Sequence, residues 1–330
     1  MTQYNSIVTG GAGFIGSHLV DLLLKNNHRV CVIDNLSGGH EINLNHHSNN
    51  KNFHFKQIDI NNIEKDDLDF KNADFCFHLA GIGDIVPSIE MPLKYMNTNV
   101  QGTAKILEAS RHNGVKKFVY AASSSCYGLA DTPTCEKHAI NPMYPYALSK
   151  YLGEQTSFHW NKVYNLPVNS VCIFNAYGPR VRTTGVYGAV FGVFFKQKLE
   201  GKPLTVVGDG KQSRDFIYVT DVAEAFLAAA ETKISGERYN LGAGNPQSIN
   251  KLVRLLNCDV EYIPKRPGEP DITFANIKKI TTQLNWKTKV SFEDGVKTML
   301  IDIERWRNAP LWDVKSIENA TRTWFKYMKN

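Results

Sequence analysis

Tyr146 and Lys150 form the most reactive pair that the sequence offers, in the segment Tyr-Ala-Leu-Ser-Lys. Their spacing of four residues places both side chains on one face of a helix. A phenol titrates near pH ~10 and is a poor base at neutral pH unless a nearby cation stabilises its charged form. The Lys150 ammonium suits that role, so the pair predicts proton transfer to or from a substrate. Because the chain contains 14 tyrosines, a chance pair on an exposed helix is the alternative interpretation.

A glycine motif near the start of the chain predicts a dinucleotide site. Gly10, Gly13 and Gly16 follow an apolar segment and precede a leucine-rich helical segment. Glycines at such a junction let the backbone approach a pyrophosphate, whose charge the helix N-terminus favours. Asp34 ends the next apolar segment, where an acid accepts hydrogen bonds from ribose hydroxyls and repels a 2′-phosphate. The motif therefore favours NAD over NADP, and a tight turn without a ligand is the alternative.

The order of these segments along the chain strengthens both interpretations. Ser123 is the first of three serines that follow a further apolar segment, and we expect its hydroxyl to bridge a substrate oxygen and the phenol. Asp59 and the segment His78–Gly81 also follow strand-like segments, where ligands of open α/β sheets bind. A dinucleotide motif, a serine-rich strand end and a Tyr-x-x-x-Lys helix in this sequence predict one site that moves a proton and a hydride.

The elements that must position these residues alternate between strands and helices. The predicted strands are Ser6–Thr9, Val30–Asp34, Phe53–Gln57, Phe75–Leu79, Phe118–Ala121, Val168–Phe174 and Arg238–Gly242. The predicted helices are Ile15–Lys25, Pro92–Asn113, Tyr144–Val163 and Asp221–Thr232. Such alternation predicts an α/β fold, a Rossmann-type doubly wound parallel sheet with a smaller, interleaved C-terminal lobe. We expect residues 1–175 and about 217–245 to form the NAD-binding domain, and 176–216 and 246–330 the substrate lobe.

Composition excludes several other classes of protein. The 38 basic and 32 acidic residues are spread along the 330-residue chain without a long basic run, which gives nucleic-acid binding no support. The longest apolar segments are much shorter than the ~20 residues of a membrane span. The six cysteines show no zinc-ligand spacing, so we predict neither disulfides nor a metal site. The residues before the first strand lack the apolar core of a signal peptide, so we expect a cytoplasmic protein.

On these motifs the chain resembles the extended short-chain dehydrogenase/reductase family, in its nucleotide-sugar epimerase/dehydratase group. The resembling segments span nearly the whole chain and include TGGAGFIG (9–16), HLAG (78–81), SSSCYG (123–128), YPYALSK (144–150) and RPGEPD (266–271). The resemblance implies that Ser123, Tyr146 and Lys150 are the catalytic residues and that NAD is the cofactor. The residues that we expect to bind NAD are Gly10, Gly13, Phe14, Ile15, Gly16, Asp34, Asn35, Ser37, Gly38, Asp59, Ile60, Leu79, Ala80, Gly81 and Asn99, together with Tyr146 and Lys150.

The serine segment separates the reactions of that group. Its 4,6-dehydratases carry Asp-Glu directly after the position of Ser123, and its decarboxylating members carry Glu at the second place. This chain has Ser124 and Ser125 there. The resemblance therefore implies a 4-epimerase acting on a UDP-hexose, either the glucose/galactose or the N-acetylated pair. Alternatives are a dehydratase or 4-ketoreductase for a GDP-, CDP- or dTDP-sugar, a UDP-glucuronate 4-epimerase, and a non-enzymatic NAD-sensing regulator.

The resemblance also implies contacts to the nucleotide half of the substrate. Arg214 and Arg266 match arginines that bind the diphosphate, and Asn175 is placed to donate to the same group. Glu269 matches an acid at the nucleotide ribose, and the backbone around Leu204–Val206 matches the strand that reads uracil.

The hexose end is where the sequence leaves most open. Ser124 and Thr273 are expected beside the sugar, with Thr273 small enough for either hexose series. Arg182 matches an arginine that holds a uronate carboxylate, or is a surface charge. Asp84 departs from the apolar or basic residue usual in its loop, and its effect on substrate or reaction is open. The segments Pro92–Asn113 and Tyr144–Val163 resemble helices that pair in a homodimer.

Overall fold

A seven-stranded parallel sheet forms the centre of the computed structural model, which describes residues 3–183, 190–265 and 267–328. The strands of the whole structure are β1 Asn5–Thr9, β2 Arg29–Asp34, β3 Phe53–Gln57, β4 Phe75–His78, β5 Lys117–Ser123, β6 Val168–Ile173, β7 Asn175–Tyr177, β8 Leu204–Val207, β9 Ser213–Arg214, β10 Phe216–Tyr218, β11 Glu237–Leu241, β12 Gln247–Ser248 and β13 Val260–Ile263. In the central sheet they run in the order β11-β6-β5-β4-β1-β2-β3. The order reverses beside β1, and this is the point where open α/β sheets bind their ligands.

Helices cover both faces of this sheet. The helices of the described residues, in both lobes, are α1 Phe14–Lys25, α2 Ile85–Glu90, α3 Pro92–Met96, α4 Thr103–His112, α5 Pro145–Tyr164, α6 Val190–Leu199, α7 Val219–Glu231, α8 Ile249–Leu256, α9 Lys278–Leu284, α10 Phe292–Ile301 and α11 Val314–Tyr327. Leu19 of α1 and Phe226 of α7 are fully buried in one core cluster, and Ile106 of α4 in the cluster on the opposite face. The predicted fold class, a doubly wound parallel sheet, is therefore confirmed.

The predicted helix over Pro92–Asn113 differs from the structure. A six-residue π-helical segment, Asn97–Gly102, separates α3 from α4. Its wider turn accompanies Asn99, whose side chain bonds to a neighbouring loop, as described below. Helix α2 was not predicted, because its six residues contain a proline and lack a helical apolar repeat.

The second lobe has its own apolar core. Tyr177, Phe195, Leu252 and Trp306 are among its buried members, and β8 pairs with β13 across it. Trp286 belongs instead to a core cluster of the central sheet, although its range was assigned to the substrate lobe. The domain bounds stay a prediction.

Two further observations concern the cysteines and membrane-spanning helices. All six cysteines are free thiols. Among the described residues, no helix is both long and apolar enough to cross a membrane.

Candidate active site

The three predicted catalytic residues meet where β5 ends and α5 begins. Ser123 is the last residue of β5, while Tyr146 lies in the first turn of α5 and Lys150 one turn later. Pro145 at the start of α5 has a backbone angle that suits the first turn of a helix. A side-chain hydrogen bond from Ser123 favours the charged form of the Tyr146 phenol. The Ser123 hydroxyl also lies 2.8 Å from that of Ser125, so two hydroxyls of the serine segment lie together next to the phenol.

Burial controls the acidity of Tyr146 in the ligand-free chain. Desolvation raises its pKa, the hydrogen bond from Ser123 lowers it, and the Asp84 charge raises it again. The predicted lowering of this pKa by Lys150 is therefore not the dominant effect here, because removing a phenolate from water costs more.

Lys150 is buried as a cation beside the predicted cofactor loop. Lys150 is 7% exposed to solvent. Burial lowers the pKa of Lys150 to about 8, although the Glu154 charge favours the ammonium. Glu154 itself pairs with Arg238, and Lys150 Nζ rests 4.5 Å from the centroid of the Tyr120 ring. A Cβ atom added to Gly81 would lie 3.6 Å from the same Nζ.

The glycine motif forms a close turn between β1 and α1. Gly10 has a φ of +72°, and a Cβ there would lie 2.6 Å from the Ala80 backbone nitrogen. A Cβ at Gly16 would collide with the Gly10 carbonyl oxygen. Gly13 precedes α1 without a side-chain cap, so the first amides of α1 stay available to an anion. This turn fits the pyrophosphate of NAD.

Acidic and amide side chains line the far end of the predicted cofactor site. Asp34 is 7% exposed and accepts from the backbone amides of Ala12 (3.0 Å) and Leu36 (2.8 Å). Asn35 donates to Asp59 at 2.7 Å. Burial opposes the charge of Asp59, but hydrogen bonds from Asn61 and Asn35 prevail and lower its pKa. The carboxylates of Asp34 and Asp59 are thus held as hydrogen-bond acceptors, which suits ribose hydroxyls and an adenine amino group.

Asn99 supports the cofactor loop instead of facing open space. Its amide donates to the Ile82 carbonyl (3.0 Å) and the Ser149 hydroxyl (2.9 Å), and its oxygen accepts from the Ile82 amide at 2.8 Å. These bonds fix the loop after β4 to α5, and they place Gly81 beside Lys150.

The remaining predicted NAD contacts occupy varied settings. Phe14 and Ile15 are half-buried at the start of α1, and a Cβ at Gly38 would meet nothing within 4 Å. Ile60 is 5% exposed and packs into the core, so its side chain is unavailable to a ligand. The remaining three lie at strand or turn ends: Ser37, Leu79 and Ala80.

Aromatic residues that sequence reasoning missed enclose the Tyr146 ring. Tyr144 stacks on it at 6.3 Å between centroids, and Tyr95 meets it edge-on at 6.5 Å. Trp324 of α11 packs against Tyr144 and donates its indole N–H to the Pro267 carbonyl at 2.7 Å. Tyr144 lies within the matched segment 144–150, but nothing in the sequence places Trp324, 180 residues away, beside it.

An ion pair joins the two residues that the sequence left unresolved. Arg182 Nη2 lies 2.6 Å from Asp84 Oδ1, with side-chain exposures of 35% and 24%. Asp84 precedes α2 without capping it, so its carboxylate is directed at Arg182. Both charges act on Tyr95, whose pKa burial raises.

A cavity of about 440 Å³ in the second lobe is lined by two of the predicted nucleotide contacts, Arg214 and Glu269, which pair with each other at 2.8 Å. On the same wall Lys211 pairs with Asp209 and Lys265 with Asp271. Arg266 lies outside the described residues. The cavity wall includes Val207, immediately after the predicted strand segment.

The side chains of Leu204 and Val206 are buried in the core of the second lobe. Asn175 accepts from the Thr273 hydroxyl at 2.7 Å, so these two predicted substrate contacts lie side by side. Ser124 begins the short helical turn after β5, half-buried next to Ser123.

Comparison with known proteins gives matches over most of the chain. A family model described as "NAD dependent epimerase/dehydratase family" matches residues 6–242. A "Putative UDP-glucose 4-epimerase" of Methanocaldococcus jannaschii is 36% identical over 89% of this chain and 96% of its own length. A "UDP-glucuronate 4-epimerase" of Thermodesulfobacterium geofontis is 33% identical over 94% and 98%. The solved structure of UDP-glucuronic acid 4-epimerase from Bacillus cereus, in complex with UDP-glucuronic acid and NAD, is 34% identical, with coverages of 91% and 99% and a TM-score of 0.85.

Proposed function

The chain belongs to the NAD-dependent epimerase/dehydratase family, and from that premise we propose that it is a 4-epimerase of UDP-hexoses, either the glucose/galactose or the N-acetylated pair. Family membership confirms the resemblance drawn from the motifs, the predicted NAD cofactor and the predicted class of enzyme, an NAD-dependent nucleotide-sugar epimerase.

The observation that carries the choice of 4-epimerisation is the composition of the segment facing Tyr146. Ser123, Ser124 and Ser125 supply hydroxyls at the place where dehydration or decarboxylation would need a carboxylate. Asp84, the acid that acts on Tyr146, is bound to Arg182 and is thus a poor candidate for a free acid or base.

The residues divide the proton chemistry between them. Tyr146 takes the proton of the sugar C4 hydroxyl. The single Ser123 hydroxyl proton stabilises the phenolate before this transfer and turns to the C4 oxygen after it. Lys150, one helical turn after Tyr146, holds a positive charge beside Gly81, and we expect this charge to favour the phenolate when NAD and the sugar are bound. NAD, when bound, supplies the acceptor that removes hydride from C4 and returns it to the opposite face.

The second-lobe cavity is proposed to hold the UDP moiety. Arg214 offers planar donors that suit phosphate oxygens, and its partner Glu269 would release it toward the diphosphate while accepting from a ribose hydroxyl. Relatives and solved neighbours are described as enzymes of UDP-sugars, which supports uridine as the base.

UDP-glucuronate is the second candidate substrate. It is favoured by the position of Arg182 near Tyr95 and by the similar UDP-glucuronate 4-epimerases. The test for both is incubation of the purified chain with UDP-glucose, UDP-N-acetylglucosamine, UDP-glucuronate and their GDP and dTDP counterparts, without added cofactor. NMR should show inversion at C4 of a UDP-sugar. A 6-deoxy-4-keto product, or a reaction that consumes added NADH, would contradict the proposal.

A homodimer is proposed from apolar residues left exposed on two helices. Leu148 and Val163 of α5 are 39% and 49% exposed, and Leu93 of α3 is 81% exposed. Light scattering should give a molar mass near twice that of one chain, and a monomer at micromolar concentration would contradict it.

The free cysteines agree with the proposed cytoplasmic location, which cell fractionation tests.

A further inference from the structure

The charge balance at the hexose end of the site rests on Asp84 and Arg182. Arg182 Nη2 and Asp84 Oδ1 are 2.6 Å apart, a charge-assisted hydrogen bond. The pair is formed across 98 positions of sequence, between the loop after β4 and the segment after β7. Asp84 has no capping role in α2, so the carboxylate has this guanidinium as its described partner.

The pair lies close to the reacting centre. Tyr95 is 1% exposed, feels the charges of both Asp84 and Arg182, and packs edge-on against Tyr146 at 6.5 Å. The Asp84 charge also reaches Tyr146 itself, where it disfavours the phenolate. With the C4 hydroxyl at Tyr146, a hexose bound with its C6 group toward Tyr95 would bring that group to this pair.

A substrate carboxylate would meet a guanidinium that is already neutralised. Placing a uronate against Arg182 puts two carboxylates on one cation, and the repulsion between them offsets part of the attraction to the guanidinium. A neutral hydroxymethyl group meets no such conflict, and the Asp84 carboxylate is available to accept a hydrogen bond from its hydroxyl. The pair therefore disfavours a C6 carboxylate and favours a C6 hydroxymethyl group. In this way it discriminates between UDP-uronates and UDP-hexoses with an uncharged C6.

We infer that Asp84 is a specificity-determining residue, which holds Arg182 and thereby selects UDP-hexoses with an uncharged C6 against UDP-uronates. This inference rests on the proposed UDP-sugar function. Asp84 acts on the substrate through Arg182. Removing the Asp84 carboxylate should therefore leave the Arg182 guanidinium able to pair with a substrate carboxylate.

The experiment compares the full-length protein with Asp84→Asn, which keeps the shape without the charge, and Asp84→Glu, which keeps the charge. Rates (kcat/KM) and Kd values are measured for UDP-glucuronate and UDP-glucose. We expect the wild type and Asp84→Glu to prefer UDP-glucose. Asp84→Asn should raise the uronate-to-glucose ratio about tenfold or more, equivalent to about 1.4 kcal/mol. The double variant Asp84→Asn/Arg182→Gln should lose that gain, which a merely structural loss would not do.

An unchanged ratio in a folded Asp84→Asn protein that retains NAD would overturn the inference, as would a wild type that prefers the uronate. If Asp84→Asn fails to fold, Asp84→Ser, which also removes the charge, replaces it, with the same expected rise in the uronate-to-glucose ratio and the same overturning result. If the wild type epimerises none of UDP-glucose, UDP-N-acetylglucosamine and UDP-glucuronate, the proposed function fails. The Kd ratio for the two sugars then still decides on Asp84.

Discussion

Replacing Lys150 with Met should make the ligand-free protein more stable and less active. The ammonium is buried at 7% exposure with its pKa lowered from 10.5 to about 8. At about 1.36 kcal/mol per pH unit, this difference corresponds to an upper limit of about 3.4 kcal/mol of destabilisation at neutral pH. Methionine fills a similar space without a charge, so Lys150→Met should recover about 2–3 kcal/mol of that cost.

The stability difference between Lys150→Met and the wild type should depend on pH. Because the folded pKa is below the unfolded one, the cost is complete below pH 8. It fades between pH 8 and 10.5, where the unfolded chain binds the proton that the folded chain has released. The advantage of Lys150→Met should therefore be largest at pH 7 and should vanish as the pH approaches 10.5.

The assay is urea unfolding of NAD-free protein at pH 7 and at pH 10, followed by tryptophan fluorescence. Lys116→Met is the matched control, since Lys116 is an exposed lysine paired with Asp74 and should gain no stability when replaced. Turnover of Lys150→Met should fall by about 10²-fold or more, as for loss of acid–base assistance. A variant that is less stable than the wild type at pH 7, or equally stabilised at both pH values, would refute the reasoning.

Three further substitutions have expected outcomes. Glu154→Gln leaves the Arg238 guanidinium buried without its carboxylate and should lower the free energy of unfolding by about 3–5 kcal/mol. A loss below about 1 kcal/mol in urea unfolding would show that the pair is not buried in solution. Gly16→Ala places a methyl group against the Gly10 carbonyl and should abolish NAD retention in the purified protein, and a variant with NAD bound at wild-type stoichiometry would contradict the turn geometry. Trp324→Ala removes a side chain that is 5% exposed and should lower the free energy of unfolding by about 3–5 kcal/mol. It should also raise KM for the UDP-sugar, and a KM equal to that of the wild type would show that α11 does not support the substrate site.

The sequence was sufficient for elements whose signal is local. The strand Phe53–Gln57 was predicted with the bounds that the structure shows, and the helix over Tyr144–Val163 differs by one residue at each end. Apolar runs and helical spacing are set within the segment, so they survive in the fold. Spacing alone also predicted that Tyr146 and Lys150 share one helix face, and the order of the motifs along the chain predicted that Ser123 belongs to the same site.

Contacts between distant segments could not be predicted. The Asp84–Arg182 pair and the Arg214–Glu269 pair join residues that are 98 and 55 positions apart. The acidity of Tyr146 depends on how deeply its ring is enclosed by Tyr95 and Tyr144, which no spacing rule gives. Likewise, the π-helical segment Asn97–Gly102 contains Asn99, whose hydrogen bonds to Ile82 and Ser149 join segments that are distant in the sequence.

Isotope retention at C4 tests the central claim, epimerisation by removal and return of the same hydride, most directly. UDP-glucose, or the N-acetylated sugar if that is the better substrate, is supplied with deuterium at C4 in ordinary water and without added NAD. The account predicts a C4-inverted product that keeps the deuterium at C4, with loss of reaction in Tyr146→Phe. Deuterium released to solvent, or deuterium transferred to C6 of a 6-deoxy-4-keto product, would contradict it.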